Sequence, residues 1–524
     1  MVTAQRSIRN LYRDSVSMMQ FSEKLRALPG VRQASAVMAT ENNISLLVEA
    51  GLLAAAVPPS PNDLLIVLAG SQESELEAAL DQAEALLKQR PAGVGEGGDS
   101  SARRIAPRSI EMGLERLPGA NFALISTPGS YAAAEAMKAL RQGMHVMMFS
   151  DNVSGEDEIT LKQYASANGL LMMGPDCGTA IINGVPLGFA NVVKRGPVGI
   201  VAASGTGLQQ VSSLIDRLGG GVSQAIGTGG HDLSAKVGGI TMKQGIEALA
   251  ADPATQVIVL VSKPPAAQVL DGVLQAAEYS GKPVVIDFIG ADPAALTRGK
   301  LLGVRTLEDA ARAAVAISQG QPVVLPEQPL TPELLELARQ EAARLRPGQR
   351  EVRGLFSGGT FCFESLLLLG KTLGPVWSNI PLRPEQRMVN VWQSQGHTAI
   401  DLGDDLFTQG RPHPMIDFRL RCERLVQEAA DPAVAVILLD VVLGYGSHMD
   451  PAAELAPAIA AGCEAAAQQG RSLIFVGSVC GTQGDPQNLE RQEQALRQAG
   501  MLLVDSNAQA ANLAALIVQN ARGE

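Results

Sequence analysis

Between Val198 and Ile215 the chain reads VGIVAASGTGLQQVSSLI: a continuous apolar run of strand length, a break at Ser-Gly-Thr-Gly, and a second apolar series at helical spacing. The pattern predicts a strand, a tight turn and a helix. The same pattern returns between Arg353 and Gly370, RGLFSGGTFCFESLLLLG. Further apolar runs, NFALIST, HVMMFSD and GLLMMGPD, alternate with the helical stretches AAAEAMKALRQG and EDEITLKQYASANG. That alternation is the βαβ rhythm of a doubly wound parallel sheet. In the first hundred residues VRQASAVMAT and DLLIVLAG read as strands, and SVSMMQFSEKLRAL and ESELEAALDQAEALLKQ as helices.

Breaks in these patterns divide the chain. In PAGVGEGGDSSARR glycine, serine and charge replace apolar periodicity, so a boundary is expected near residue 105. The units expected are a small α/β module (1–105), a Rossmann-like unit (106–195), two similar α/β units (196–320 and 351–520) and a proline-rich linker with one helix (321–350). The two similar units share landmarks in one order. The first has SGTG (204–207), AIGTGGHDLS (225–234), ADPATQVIVLVSKPP (251–265) and GKPVVIDFIG (281–290). The second has SGGT (357–360), AIDLGDDLFTQG (399–410), ADPAVAVILLDVVLGYG (430–446) and GRSLIFVGSVCGTQGDP (470–486). A duplicated unit is expected.

Composition narrows the class. A chain of 524 residues is too long for one core, and its few aromatics (3%) among abundant Ala, Gly, Val and Leu suit buried parallel strands. The net charge of −11, without a basic stripe, argues against nucleic acid as a partner. The five scattered cysteines form no CxxC pair, so neither a disulfide frame nor a metal site is expected. No apolar run reaches the ~18 residues of a membrane span, and the amino-terminal stretch lacks a signal-peptide core; a cytoplasmic protein is expected.

The candidate chemistry lies at the strand ends. A glycine-rich turn entering a helix leaves backbone N–H groups unpaired at the positive end of the helix dipole, which suits an anion. Ser204, Gly205, Thr206 and Gly207, with Ser357, Gly358, Gly359 and Thr360, are therefore candidate phosphate or acyl-phosphate ligands. STPGS (126–130), SDNVS (150–154) and GPDCGT (174–179) are expected on one rim, with Asp176 and Cys177. His231, Arg411 and His413 are candidate catalytic groups, and Lys263 adds a cation. Asp404 and Asp405 either orient a donor or form a turn and helix cap.

GPDCGT, VGIVAASGTG, IGTGGHDLS and ADPATQVIVL resemble, in order, motifs of the succinyl-CoA synthetase α subunit. SGGT, DLGDD and DPAVAVILL resemble the carboxyl-terminal domain of its β subunit. The whole chain, including LGDDLFTQGRPHPMID, is similar to the FdrA family. The resemblance implies a Rossmann-like CoA-binding-type domain and two flavodoxin-like domains, with CoA as a candidate cofactor. It also implies partner subunits and a role in acyl-CoA synthesis or in carbamoyl transfer of the oxamate carbamoyltransferase type. An acyl or carbamoyl phosphate and a carboxylate or amide acceptor would then be the small-molecule partners.

Departures from the synthetase shape the expectation. Its phosphate-carrying histidine would fall in ADPAALTRGKLLGVRTLEDA, which has none, and its supporting glutamate falls near Lys263. The glycine-rich CoA loop and an ATP-grasp domain are not found. Two functions remain open: transfer through an acyl phosphate, and a scaffold that kept the turns as packing devices. An intermediate alternative is an acid–CoA ligase subunit whose nucleotide sites lie on a partner.

Overall fold

The structure, a computed structural model, describes residues 2–11, 15–49, 51–53, 60–88, 107–326, 328, 330–408 and 411–523. The boundary expected near 105 lies outside them.

The amino-terminal module is an antiparallel sheet with Ser60–Gly70 between Val2–Ile8 and Val31–Ala39. The central strand buries both faces. Leu64, Ile66 and Leu68 meet the helices Ser15–Arg26 and Glu73–Lys88, while Leu65 and Val67 pack with Ile44 and Leu47 of Glu41–Glu49. The edge strand Val2–Ile8 was not anticipated, because VTAQRSI alternates small and polar residues with few large apolar ones.

A three-stranded parallel sheet follows, in the order Phe122–Ile125, His145–Met148, Met172–Met173. The chain then crosses into a seven-stranded sheet. Its parallel part has the order Val222–Gly227, Arg195–Ala202, Val257–Ser262, Val284–Phe288, Leu301–Gly303. The antiparallel hairpin Thr179–Ile182 and Val185–Gly188 extends it beyond Val222–Gly227, so residues before 195 complete the sheet of the next unit.

The last sheet is wholly parallel: Val376–Trp377, His397–Asp401, Glu351–Phe356, Val434–Val442, Ile474–Cys480, Met501–Val504. Leaving out the short edge pair Val376–Trp377, both large sheets have the flavodoxin order 2-1-3-4-5. In each, the first strand ends at one of the two serine–glycine turns, which opens a helix: Gly205–Arg217 after Ser204, and Gly359–Leu373 after Ser357-Gly358.

The two units pack face to face around one core. Val211, Leu214 and Ile215 of the first helix share it with Phe361, Leu366 and Leu369 of the second. Polar groups register the contact: Leu307 N–H donates to Glu364 Oε1 (3.0 Å), and Ser506 Oγ donates to Glu308 Oε2 (2.5 Å). The linker helix Pro332–Ala342 is part of this assembly, since Ala338 belongs to the same core. The carboxyl ends of both first strands are thereby brought to one place.

Candidate active site between two helix amino termini

At that place the two turns touch. Ser204 caps its helix by accepting from Gly207 N–H (3.0 Å), and its hydroxyl lies 2.5 Å from Thr360 Oγ1 across the seam. The N–H groups of Gly205 and Thr206, and of Gly359 and Thr360, have no acceptor among the described residues. These donors open into a cavity of about 600 Å³ lined by all three strand-end loops, 126–128, 150–151 and 176–179, and by both turns. His231, Lys263, Asp405 and His413 also line it.

Several sequence-level expectations need correction. Gly207 does not line the cavity: its N–H is used by Ser204, and a Cβ there would come 2.5 Å from Ser204 Oγ. The Ser357 hydroxyl is already committed, donating to Asp440 Oδ2 (2.6 Å) while Asp440 Oδ1 accepts from Ser357 N–H (2.8 Å). Its one hydroxyl proton is thus engaged in locking the turn, although the residue lines the cavity. Asp404 lies outside the lining and forms a turn, accepting from Leu406 N–H (3.0 Å). Arg411 is exposed and outside the lining. Cys177 does line the cavity, as a buried thiol against the carbonyls of Thr179 and Gly227; burial pushes it up to about 12, so it is neutral.

The two histidines differ. His231 projects into the open, its side chain 79% exposed, with Nδ1 3.9 Å from Glu158 Oε2. It is presented by a loop tied down from below: the fully buried Lys162 donates to Thr228 O (3.0 Å) and Asp232 Oδ1 (2.8 Å). Burial holds His413 down to about 4, so it is neutral near pH 7, with Nδ1 accepting from Met415 N–H (3.2 Å). Lys263 places Nζ 5.3 Å from the centre of the Phe363 ring, a cation contributed to the cavity by the first unit and steadied by an aromatic face of the second.

The group that sequence reasoning missed is Asp401, at the end of the strand His397–Asp401. Asn379 holds its backbone at both ends: the amide nitrogen donates to Asp401 O (3.0 Å) and the amide oxygen accepts from Asp401 N–H (3.0 Å). Its Oδ1 accepts from Gly403 N–H (2.9 Å), and its Oδ2 would lie 2.5 Å from a Cβ on Gly359. Burial, with Asp404 and Asp440 nearby, pushes the carboxyl up to about 7 despite Lys263. Its position one residue before LGDD was the available signal. At the mouth, Asp176 has a left-handed backbone (φ 55°) and reaches solvent. The surrounding walls and then the Asp151 carboxylate raise it to about 6.

Two predictions arise here. A carboxyl raised to about 7 binds a proton in the folded state that the unfolded chain has already released. Stability from this group is therefore lost as pH rises from about 4 through 7. Asp401→Asn is expected to be more stabilising at pH 8 than at pH 5, by about 1–3 kcal/mol. Denaturant unfolding at the two pH values measures the difference. Second, the turn glycines are not equivalent. Neither Gly205 nor Gly358 has a positive φ, but a Cβ on Gly358 would meet Thr206 Cγ2 at 2.6 Å, whereas one on Gly205 meets only Thr179 Oγ1 at 3.4 Å. Gly358→Val is expected to wedge the units apart and cost about 1–3 kcal/mol, with Gly205→Ala nearly neutral in thermal unfolding.

Comparisons with known proteins give the lineage. Residues 355–517 match the CoA-ligase family, 193–290 the CoA binding domain, and 1–103 the heavy metal-associated domain of AllF. Residues 1–103 contain neither cysteine nor histidine, and four methionines are their only soft donors. Of the groups that line the cavity, Lys263 and the N–H groups of the two turns are those that would hold a phosphate of coenzyme A. A succinate–CoA ligase [ADP-forming] α subunit from Aquifex aeolicus is 31% identical over 151 residues, 28% of this chain and 48% of that one. Among solved structures, the apo dinucleotide-forming acetyl-coenzyme A synthetase 1 of Ca. Korarchaeum cryptofilum aligns over 77% of this chain and 84% of its own. Its TM-score is 0.31 at 16% identity, too slight a likeness to add to the strand order. Among the described residues no helix is long and apolar enough to cross a membrane. The Escherichia coli (strain K12) protein YahF, itself uncharacterised, is 45% identical over 499 residues, 95% of each chain. By that end-to-end identity, together with the succinyl-CoA-ligase-like domains, the chain belongs to the FdrA family.

Proposed function

We propose that the chain is a subunit of a carbamoyl or acyl transferase that works through carbamoyl phosphate or another acyl phosphate. The observation that carries this reading is the meeting of two helix amino termini, 2.5 Å apart at Ser204 and Thr360, with unpaired N–H groups facing a shared cavity. Two positive dipole ends and Lys263 hold a phosphoryl group without a metal. In phosphorolysis, a phosphate oxygen attacks the carbamoyl carbon of a ureido acid. The carbon–nitrogen bond breaks, and the amide leaves with a proton. His231, which lines the cavity with Nδ1 3.9 Å from Glu158 Oε2, carries that proton in this reading. The reverse direction makes a carbamoylated acceptor and free phosphate.

The experiment is carbamoyl transfer between carbamoyl phosphate and small amide or ureido acids, with the chain supplied together with its co-purifying partners. The reading expects transfer that is inhibited by inorganic phosphate and lost without this chain. Transfer that proceeds equally well in its absence refutes it. A second reading, an acid–CoA ligase subunit, is favoured by the matches to the CoA-ligase and CoA binding families. It requires ATP and CoA sites on a partner. Under either reading, the chain alone is expected to take no acid-labile phosphate from labelled ATP, since the segment 291–310 contains no histidine.

A further inference from the structure

A carboxylate inside an anion cradle is a contradiction unless a proton lies between the two. Asp401 is 8% exposed and has no ion-pair partner among the described residues. One oxygen is held by Gly403 N–H, and the other lies against Gly359, the first residue of the Gly359–Leu373 helix. No other element neutralises it. Asp404 on its own loop and Asp440 on the strand Val434–Val442, beyond the intervening strand Glu351–Phe356, are acidic, and Asp440 is already paired with Arg421 (2.7 Å). His413, whose Nε2 also crowds Gly403, is neutral, and the Cys362 thiol is held protonated by burial. Among the described residues Lys263 is the cation that acts on the carboxyl, and it lies outside ion-pair distance.

We propose that Asp401 makes the cradle selective for an oxyanion that shares one proton with it, so that the site takes phosphate and phosphoryl groups and rejects sulfate. This rests on the anion-binding reading given above. Inorganic phosphate still carries a proton near neutrality and donates it to Asp401 Oδ2; sulfate carries none and meets an unpaired charge. A fully ionised acyl phosphate binds with uptake of one proton from solution, and that proton then lies where the departing phosphate needs it. The bond count balances: as the acceptor nitrogen bonds to the acyl carbon and gives up its proton to His231, the acyl carbon–oxygen bond breaks and the proton of Asp401 passes to the departing phosphate oxygen. In the opposite direction Asp401 removes it as the oxygen attacks.

The test is calorimetric titration of the full chain with inorganic phosphate and with sulfate at pH 8, at matched ionic strength, in two buffers of different ionisation enthalpy. Phosphate is expected to bind at least about tenfold more tightly than sulfate, the effect of one hydrogen bond to a charged group. Sulfate is expected to take up close to one proton more than phosphate. In Asp401→Asn, whose amide donates to either anion, the preference is expected to collapse to within about threefold, because sulfate binding improves. Equal binding of the two anions by the wild type, without differential proton uptake, overturns the role of Asp401 and leaves the cradle standing. No binding of either anion overturns both.

Discussion

Replacing Asp440 by Ala is expected to be among the most damaging single changes in the chain, at about 3–5 kcal/mol of stability. Asp440 lies at the centre of a dry network. Its carboxylate accepts from Arg421 Nη2 (2.7 Å) and from the N–H and hydroxyl of Ser357 (2.8 and 2.6 Å). Arg421 is fully buried and also donates to the carbonyls of Leu355 (3.0 Å) and Asp440 (2.5 Å). Removing the carboxylate strands a buried guanidinium and frees the Ser357 turn, so phosphate-dependent stabilisation is expected to disappear as well. A double-mutant cycle separates these effects. Asp440→Leu with Arg421→Met removes both charges and is expected to recover a large part of the stability, but not the anion response. Equilibrium unfolding with and without phosphate reads both. A loss of under about 1 kcal/mol for Asp440→Ala would show that the network is peripheral.

Lys162→Ala is expected to have a similar cost, about 3–5 kcal/mol, for the opposite reason: it strands carboxylates. The ammonium is fully buried between Glu158 Oε1 and Asp232 Oδ1, each at 2.8 Å. Asp232 also caps the helix Ile240–Ala251, accepting from Thr241 N–H (3.1 Å) and Met242 N–H (2.8 Å). Losing the lysine therefore loosens the loop that presents His231. Hydrogen exchange is expected to accelerate over residues 228–239 more than in the Val434–Val442 strand, which belongs to the other unit. Uniform acceleration across both units would mean that Lys162 supports the whole fold rather than this loop.

Much of the architecture was legible because it repeats. The apolar run, the serine–glycine break and the helical resumption at Ser204 and Ser357 each state the same strand–turn–helix, and they occupy the first strand of two sheets with the same order. The hairpin Thr179–Gly188 was not legible, because four-residue strands give too little periodicity and a sheet partner more than 30 residues later leaves no local mark. Buried charges left no mark in the sequence. Arg421, Lys162 and Arg353 are buried, each with a carboxylate partner 19 or more residues away: Arg353 donates to Glu428 Oε2 (2.8 Å) and Asp431 Oδ2 (2.9 Å). Hydrogen-bond allegiance was equally hidden. The two serines stand in corresponding turns, but Ser204 reaches across to Thr360 while Ser357 is taken by Asp440. Asp401 was overlooked for Asp404 and Asp405 because spacing does not reveal which carboxylate of DLGDD the strand end turns inward.

If two turns, one from each unit, hold a single ligand, calorimetric titration of the wild-type full chain with phosphate in chloride buffer reads one phosphate per chain. Thr360→Val is then expected to weaken that site by about tenfold, since the lost hydroxyl stands at the seam with Ser204. Two independent phosphates per chain, or none, would contradict it.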